Sequence, residues 1–475
     1  MLFNSFQFLV FFIITSFIYY SIGHRFRWLL LLLSSCIFYM YFIPIYILIL
    51  FLTIIIDFYS AILIESVVEQ KRRLLLILSL FSNILILAVF KYYNFFIDNI
   101  NFFVNTNLTY LPIILPIGLS FHTFQAMSYT IEVYRGAQKA ERHLGIYALY
   151  VMFFPQLVAG PIERPQNMLH QFKEFKYFNF DNLFSGLRII LFGLFKKVVI
   201  ADRLAIVVDE VYNHPYNYHG LAFIVVSIFF AIQIYCDFSG YSDIAIGTAR
   251  VLGFNLMTNF NQPYFSKNIS EFWTKWHISL STWFKDYLYI PLGGNRVAKS
   301  RFFFNILVVF LISGLWHGAN WTFIVWGAIH GLLLILYNMN LFPLSRLVFP
   351  DFFKVSFTFL LVCLAWIFFR SENMHMANFI FKRIFDINDP LFYQLSVNDN
   401  HGLPNAFLGL PLWKLILTSL LIPVLFFFDK LIVTGFVFKV KYLPARFSFL
   451  IYFAFIISIL IFGVFDTKEF IYFQF

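Results

Sequence analysis

Long apolar runs alternate with short polar breaks along the whole chain. Runs lie at about 6–22, 28–43, 45–64, 74–97, 111–131, 183–200, 221–236, 302–316, 321–338, 352–369, 413–428 and 447–465. Most approach the roughly 17 to 25 residues that a helix needs to span hydrocarbon. The shorter ones fit half-spanning segments, whose broken backbone is tolerated only where protein buries it. The pattern predicts an all-α polytopic membrane protein: one transmembrane domain over residues 1–475 with about 10–13 transmembrane or re-entrant helices.

Basic residues orient these elements. No Lys or Arg precedes the first run, and Arg25 and Arg27 follow it, the reverse of a cleavable leader. That run is expected to stay as the first span, amino terminus outside. Lys71, Arg72, Arg73, Arg135, Lys139 and Arg142 then fall inside, and the stretch Asp98 to Tyr110, free of Lys and Arg, falls outside. Lys430, Lys439, Lys441 and Arg446 place the start of the last span inside, so the tail 466–475 is expected on the extracytoplasmic face.

Composition removes the competing classes. Hydrophobic residues make up 61% of the chain and charged ones 12%, against about 25% charged in soluble domains. The net charge of +10 sits in short loops between apolar runs, where topology and anionic lipid explain it better than nucleic acid does. Cys36, Cys236 and Cys363 each stand alone in an apolar run, without metal or disulfide spacing, and read as packing residues.

Three regions interrupt the greasy pattern. Prolines and glycines from Phe154 to Pro165 exclude a plain spanning helix and favour a re-entrant or surface loop. Asp237 and Asp243 lie six residues apart in an apolar helix and do not share a face, so they are expected to bond neighbouring helices or a polar cavity wall rather than a metal. Between Lys267 and Arg301, cations interleave with Trp273, Trp276, Trp283, Tyr287 and Tyr289, a pattern that marks an interfacial helix. Cytosolic interfacial helices are expected around 161–182 and 267–301. The bland alternative for 267–301 is an amphipathic, lipid-facing helix. Two adjacent glycines, Gly293 and Gly294, allow close backbone approach but match no phosphate-binding loop.

Two histidines stand in tryptophan-rich, apolar surroundings: Trp276-His277 and Trp316-His317, the latter among Gly314, Gly318 and Ala319. A buried imidazole in a membrane chain is costly unless it faces a partner or a cavity, so both are candidate site residues. The alternative is that either merely bonds a backbone carbonyl between helices. His330, beside Gly327 and Gly331, reads as a packing or hydrogen-bonding histidine.

Six ordered motifs carry a resemblance. They are Leu115-Pro116-Ile117-Gly118-Leu119-Ser120-Phe121 with Tyr134-Arg135-Gly136; Pro155-Gln156-Leu157-Val158-Ala159-Gly160-Pro161; Asp237-Phe238-Ser239-Gly240-Tyr241-Ser242-Asp243; Trp276-His277; Asp286 to Asn295; and Gly314-Leu315-Trp316-His317-Gly318. Together they resemble the membrane-bound O-acyltransferase (MBOAT) family, in particular its bacterial branch that acetylates alginate-like exopolysaccharides or peptidoglycan. His122 departs locally, where the family pattern leads one to expect an aromatic residue such as tyrosine. The resemblance implies a ring of tilted helices around a central acyl-transfer funnel in the bacterial cytoplasmic (inner) membrane. It implies acetyl-CoA as a cytosolic donor substrate, no permanently bound cofactor or metal, a polysaccharide acceptor and an extracytoplasmic SGNH-hydrolase-like O-acetyltransferase partner. His317 matches the family's catalytic histidine and His277 the second, donor-side position.

A hydroxyl is a poor nucleophile until a positioned base removes its proton, and imidazole suits that task. His317 is therefore expected as general base, with His277 orienting the donor. Near the end of the chain, Phe470 to Phe475 resembles the terminal tyrosine motif of an acyl-shuttle partner in teichoic acid D-alanylation, which makes Tyr472 a candidate acyl carrier. An ordinary aromatic belt at a membrane exit explains the same residues. A polysaccharide or lipid-linked-intermediate transporter or flippase is the competing class, since transporters also carry intramembrane polar residues and broken helices.

Overall fold

A computed structural model describes residues 1–341, 350–386, 408, 411–433, 445–465 and 470–471. These residues are helical or irregular, with no strand among them. Among the described residues, seven helices are long and apolar enough to cross a membrane: Pro44–Ser66, Glu69–Val104, Gly220–Val251, Lys299–His317, Trp321–Asn338, Asp351–Arg370 and Leu412–Lys430, with Phe6–Ser21 and Phe449–Phe462 as shorter apolar helices. Several apolar runs are cut before reaching spanning length. The run at 111–131 becomes helical only at Leu119, after Pro116 and a left-handed Gly118 at φ +77°. The run at 183–200 widens into π-helical turns over Phe195–Ala201.

The chain forms two compact units. The first comprises Met1–Ile190 and Tyr241–Thr258. Its helices include α1 (Phe6–Ser21), α2 (His24–Met40), α3 (Ile47–Ser66), α4 (Glu69–Leu87), α5 (Tyr93–Val104) and α6 (Leu119–Tyr134), with α3, α4 and α6 at the centre. A buried polar cluster joins them: Ser79 Oγ donates to Asp57 Oδ1 at 2.6 Å, and Asn83 Nδ2 reaches both Asp57 oxygens at 3.0 Å. Ser79 Oγ also lies 3.2 Å from Thr130 Oγ1. Such bonds hold helices together where lipid removes the hydrophobic drive between them.

The Pro/Gly-rich segment that follows α7 (Leu144–Met152) is buried from Phe153 to Glu163, which settles the sequence alternative in favour of an internal loop rather than a surface one. A Cβ at Gly160 would lie 2.4 Å from the Gln156 backbone, so the loop closes on itself where only glycine fits. α8 (Pro165–Lys173) then starts with proline at its first turn, where the missing N–H costs nothing, and α9 (Phe180–Leu194), α10 (Asp202–Asn213) and α11 (Gly220–Val251) follow along the chain.

The second unit comprises Leu191–Gly240 and Asn259–Ile471. Its tightest pair is α14 (Lys299–His317) against α15 (Trp321–Asn338). Gly314 and Gly327 permit this: a Cβ on either would sit 2.2 Å from a carbonyl oxygen of the facing helix. Small residues at a helix crossing let backbones approach and maximise van der Waals contact. Asn320 caps α15 by accepting from Thr322 N at 3.0 Å, while its Nδ2 donates to Glu372 O at 2.7 Å. The turn between the two helices is thereby pinned.

Candidate functional site

The 267–301 region is not one interfacial helix. It folds as α12 (Ile269–Lys275) and α13 (Ile278–Phe284), broken at His277, followed by π-helical turns over Lys285–Tyr289. Trp276 and Trp283 are buried at 1% and 5% exposure, so the aromatic face packs into protein rather than lipid. Asn268 caps α12 by accepting from Glu271 N at 2.8 Å. Gly293 and Gly294 both adopt positive φ, and Asn305 Nδ2 donates to the Leu292 and Gly294 carbonyls at 3.2 Å, fixing this loop onto α14.

His277 occupies the break in the left-handed region, at φ 43° and ψ 56°. A non-glycine residue in that region carries backbone strain and persists where its surroundings hold it. Asn259 supplies the constraint: its carbonyl accepts from Ile278 N at 2.9 Å, and its Oδ1 accepts from Ser279 N at 3.2 Å and Ser279 Oγ at 2.9 Å. The imidazole is 1% exposed and lies 4.6 Å from the Phe238 ring, edge to face, and 6.4 Å from Phe260. Burial pushes its pKa down to about 3, so the ring is neutral at neutral pH.

His317 is the last residue of α14 and is 4% exposed. Its ring makes edge contacts to Trp316, Trp326 and Phe369 at 5.0, 5.0 and 5.3 Å. Trp316 also lies 6.2 Å from His277, so one indole touches both histidines. The two motifs, forty residues apart in sequence, converge on the same aromatic wall.

Trp326 has a similar role on the other side, lying 5.0 Å from both His317 and His330. His330 is fully buried and packs against Trp273, Phe272, Phe310 and Trp366 as well. Among the described residues its ring nitrogens have no hydrogen-bond partner. Of the two roles read from the sequence, packing is the one the structure displays. Tyr472 lies outside the described residues.

A cavity of about 510 Å³ opens next to this cluster. Its apolar side is formed by Phe302, Ile306, Val309 and Phe310, and its polar side by Ser281, Thr282, Lys285 and Asn295. Neither histidine lines it, but Ile278 and Ser313 do, the first adjoining His277 and the second one helical turn before His317. A neutral imidazole, a second imidazole at a helix end and a dry aromatic wall form an arrangement able to accept a proton from a hydroxyl and to hold a carbonyl away from bulk water.

Two sets of residues escaped the sequence reading. Asn259, which enforces the His277 conformation, sits in an irregular stretch with no motif of its own. Lys196 and Lys197 lie inside an apolar run, yet both are buried and ion-paired: Lys196 with Asp429 at 3.2 Å, and Lys197 with Asp202 and Asp237 at 2.9 and 2.5 Å. Adjacent lysines in an apolar helix were the available signal, since intramembrane charges demand partners. Asp237 does bond a neighbouring segment, as its setting in the sequence suggested.

Comparison with known proteins identifies the family. Residues 123–377 match the MBOAT, membrane-bound O-acyltransferase family, a span that contains His277, His317 and His330. The chain is 40% identical over 390 residues to the probable alginate O-acetylase AlgI of Pseudomonas syringae pv. tomato, covering 80% of this chain and 73% of that protein. It is 36% identical over 441 residues to the peptidoglycan O-acetyltransferase of Helicobacter pylori, covering 85% and 84%. A more distant match is the teichoic acid D-alanyltransferase of Bacillus subtilis, 28% identical over 280 residues, covering 54% and 69%. Buried histidines in a helical, lipid-compatible body and family identity across most of the chain favour chemistry over transport: this protein belongs to the membrane-bound O-acyltransferase family and is a multi-pass, membrane-bound O-acyltransferase.

Proposed function

We propose that the protein moves an acetyl group from acetyl-CoA, drawn from the cytosol, to an alginate-like exopolysaccharide or peptidoglycan outside the bacterial inner membrane. The observation that carries this reading is the convergence of His277 and His317 on Trp316. The names of the relatives, alginate O-acetylase and peptidoglycan O-acetyltransferase, supply the acyl group and the polymer class. No cofactor is needed as a resident group, because acetyl-CoA serves as substrate.

In this mechanism His317 takes the proton of the attacking hydroxyl as its oxygen adds to the thioester carbonyl. The carbon–sulfur bond then breaks, and the departing thiolate receives a proton, leaving an ester and free thiol. His277, neutral and held by the Asn259 clamp, orients the donor carbonyl. Tyr472 is the proposed first acceptor: its phenol takes the acetyl group as an ester and offers it to an extracytoplasmic SGNH-hydrolase-like transferase, which completes transfer to the polymer.

The test is purified protein incubated with acetyl-labelled CoA, following thiol release and label on the carboxyl-terminal peptide by mass spectrometry. His317→Ala is expected to lose on the order of a hundred- to ten-thousand-fold in thiol release, the usual range for a general base. Near-wild-type turnover in that variant would remove His317 from the mechanism. Absence of any acetyl-CoA consumption by wild-type protein would remove the donor. Wild-type polymer acetylation by Tyr472→Phe in cells would remove the carrier.

A further inference from the structure

The buried ion cluster around Lys197 does more than neutralise itself. Lys197 lies in the π-helical turns Phe195–Ala201 and Asp237 in α11 (Gly220–Val251), both almost fully buried. Asp237 divides its carboxylate. Oδ1 pairs with Lys197 Nζ at 2.5 Å, while Oδ2 accepts from the backbone N–H of Ile471 at 2.7 Å. Lys197 Nζ also stands 4.3 Å from the centroid of the Phe470 ring, and Asp202 gives it a second carboxylate at 2.9 Å. Phe470 and Ile471 are buried at 1% and 5% exposure. Upstream, Val464 N donates to Val198 O at 2.9 Å, so the terminal segment meets the same π-helical turns twice.

This is an unusual use of a buried charge pair. Replacing such a pair by apolar side chains of similar volume is often neutral or stabilising, so stability gives little reason for it. Here, however, one carboxylate oxygen is left facing the tail and captures a main-chain N–H, a charge-assisted bond that is strong and directional. The ammonium adds a cation–π contact that selects an aromatic residue at the preceding position. The Phe470-Ile471 step is thus held by two groups, the Asp237 carboxylate on its backbone and the Lys197 ammonium on its aromatic ring.

We propose that the Lys197–Asp237 pair is an internal docking site for the carboxyl-terminal segment Phe470-Ile471, and that Lys197 and Asp237 act as positioning residues for the residue that follows, Tyr472. The positioning role rests on the reading of Tyr472 as acyl carrier; the docking itself does not.

The test uses full-length protein with Cys36, Cys236 and Cys363 replaced by serine or alanine and Ile471→Cys introduced, which keeps the backbone N–H. Purified in detergent, it is challenged with a maleimide, and labelling is scored against denatured protein. Position 471 is expected to be protected in the parent, to label at least tenfold faster with Asp237→Ala, and to stay protected with Asp237→Asn, which retains an acceptor oxygen. Phe470→Ala, which leaves the buried pair intact, is expected to expose it as well and stands in if Asp237→Ala fails to fold. Equal protection in all folded variants, or equal exposure in the parent, would overturn the docking site. Polymer acetylation in cells is the second readout. If Asp237→Ala and Phe470→Ala both release the tail and reduce acetylation, with rescue by Asp237→Asn, the positioning role is supported. If they release the tail with acetylation unchanged, the positioning role is overturned. Normal acetylation by Tyr472→Phe with the labelling pattern intact would sink the carrier reading while the docking site stands.

Discussion

Gly314→Ala tests whether the spacing of α14 and α15 places His317. A Cβ at Gly314 would lie 2.2 Å from the Phe323 carbonyl oxygen, where ordinary contact begins near 3.4 Å. The obstacle is backbone in a capped helix, so the helices must separate by ~1 Å, and overpacking of this kind costs about 1–3 kcal/mol. His317 lies less than one turn beyond Gly314 and moves with α14, while its partner Trp326 stays on α15. The 5.0 Å ring contact therefore opens. A misplacement of ~1 Å at a reacting group lowers rate by about a hundredfold. Gly331→Ala is the matched control in the same interface, because its nearest neighbour is the Phe310 Cβ at 3.2 Å, so the helices need to yield by only a few tenths of an ångström. The assay is acetyl-CoA turnover by purified variants together with the melting midpoint. Gly314→Ala is expected to lose about a hundredfold in turnover and to melt earlier, with Gly331→Ala close to wild type. If Gly314→Ala turned over and melted like the parent, the argument from helix spacing to His317 would be refuted.

Two further expectations concern buried charges. Glu163 is fully buried and accepts from Met257 N, and burial raises its pKa to about 7. Because the folded value exceeds the unfolded one, its contribution to stability is complete below about pH 4.5 and is lost as pH rises through about 7, by about 3 kcal/mol at most. Glu163→Gln is expected to flatten the fall in melting midpoint between about pH 5 and pH 8; an unchanged pH profile would contradict this. His277, depressed to about 3, acts in the opposite direction as pH falls below about 6.5, equally in both proteins, so the difference isolates Glu163. Lys196→Met strands the Asp429 carboxylate, which also accepts from Tyr235 Oη, and is expected to cost about 3–5 kcal/mol. Adding Asp429→Asn should recover most of it, as measured by thermal unfolding; no recovery would show that the pair is not the cause.

The helical, membrane-compatible class, the Pro/Gly-rich break at Phe154 to Pro165 and the two Trp-His motifs are legible in the amino-acid order alone. These are local properties: apolar length, the geometry of proline and glycine, and the cost of an imidazole in hydrocarbon are all set by neighbours along the chain. Partners are set by the three-dimensional packing. That Trp316 touches both His277 and His317, that Asn259 enforces the turn at His277, and that Lys197 finds Asp237 and the tail depends on which helix faces meet. In an almost uniformly apolar chain the hydrophobic pattern does not single out an inward face, because lipid and protein interior accept the same side chains. Glycine contacts of atomic closeness and buried polar bonds choose among the packings, and they exist only once distant segments have come together.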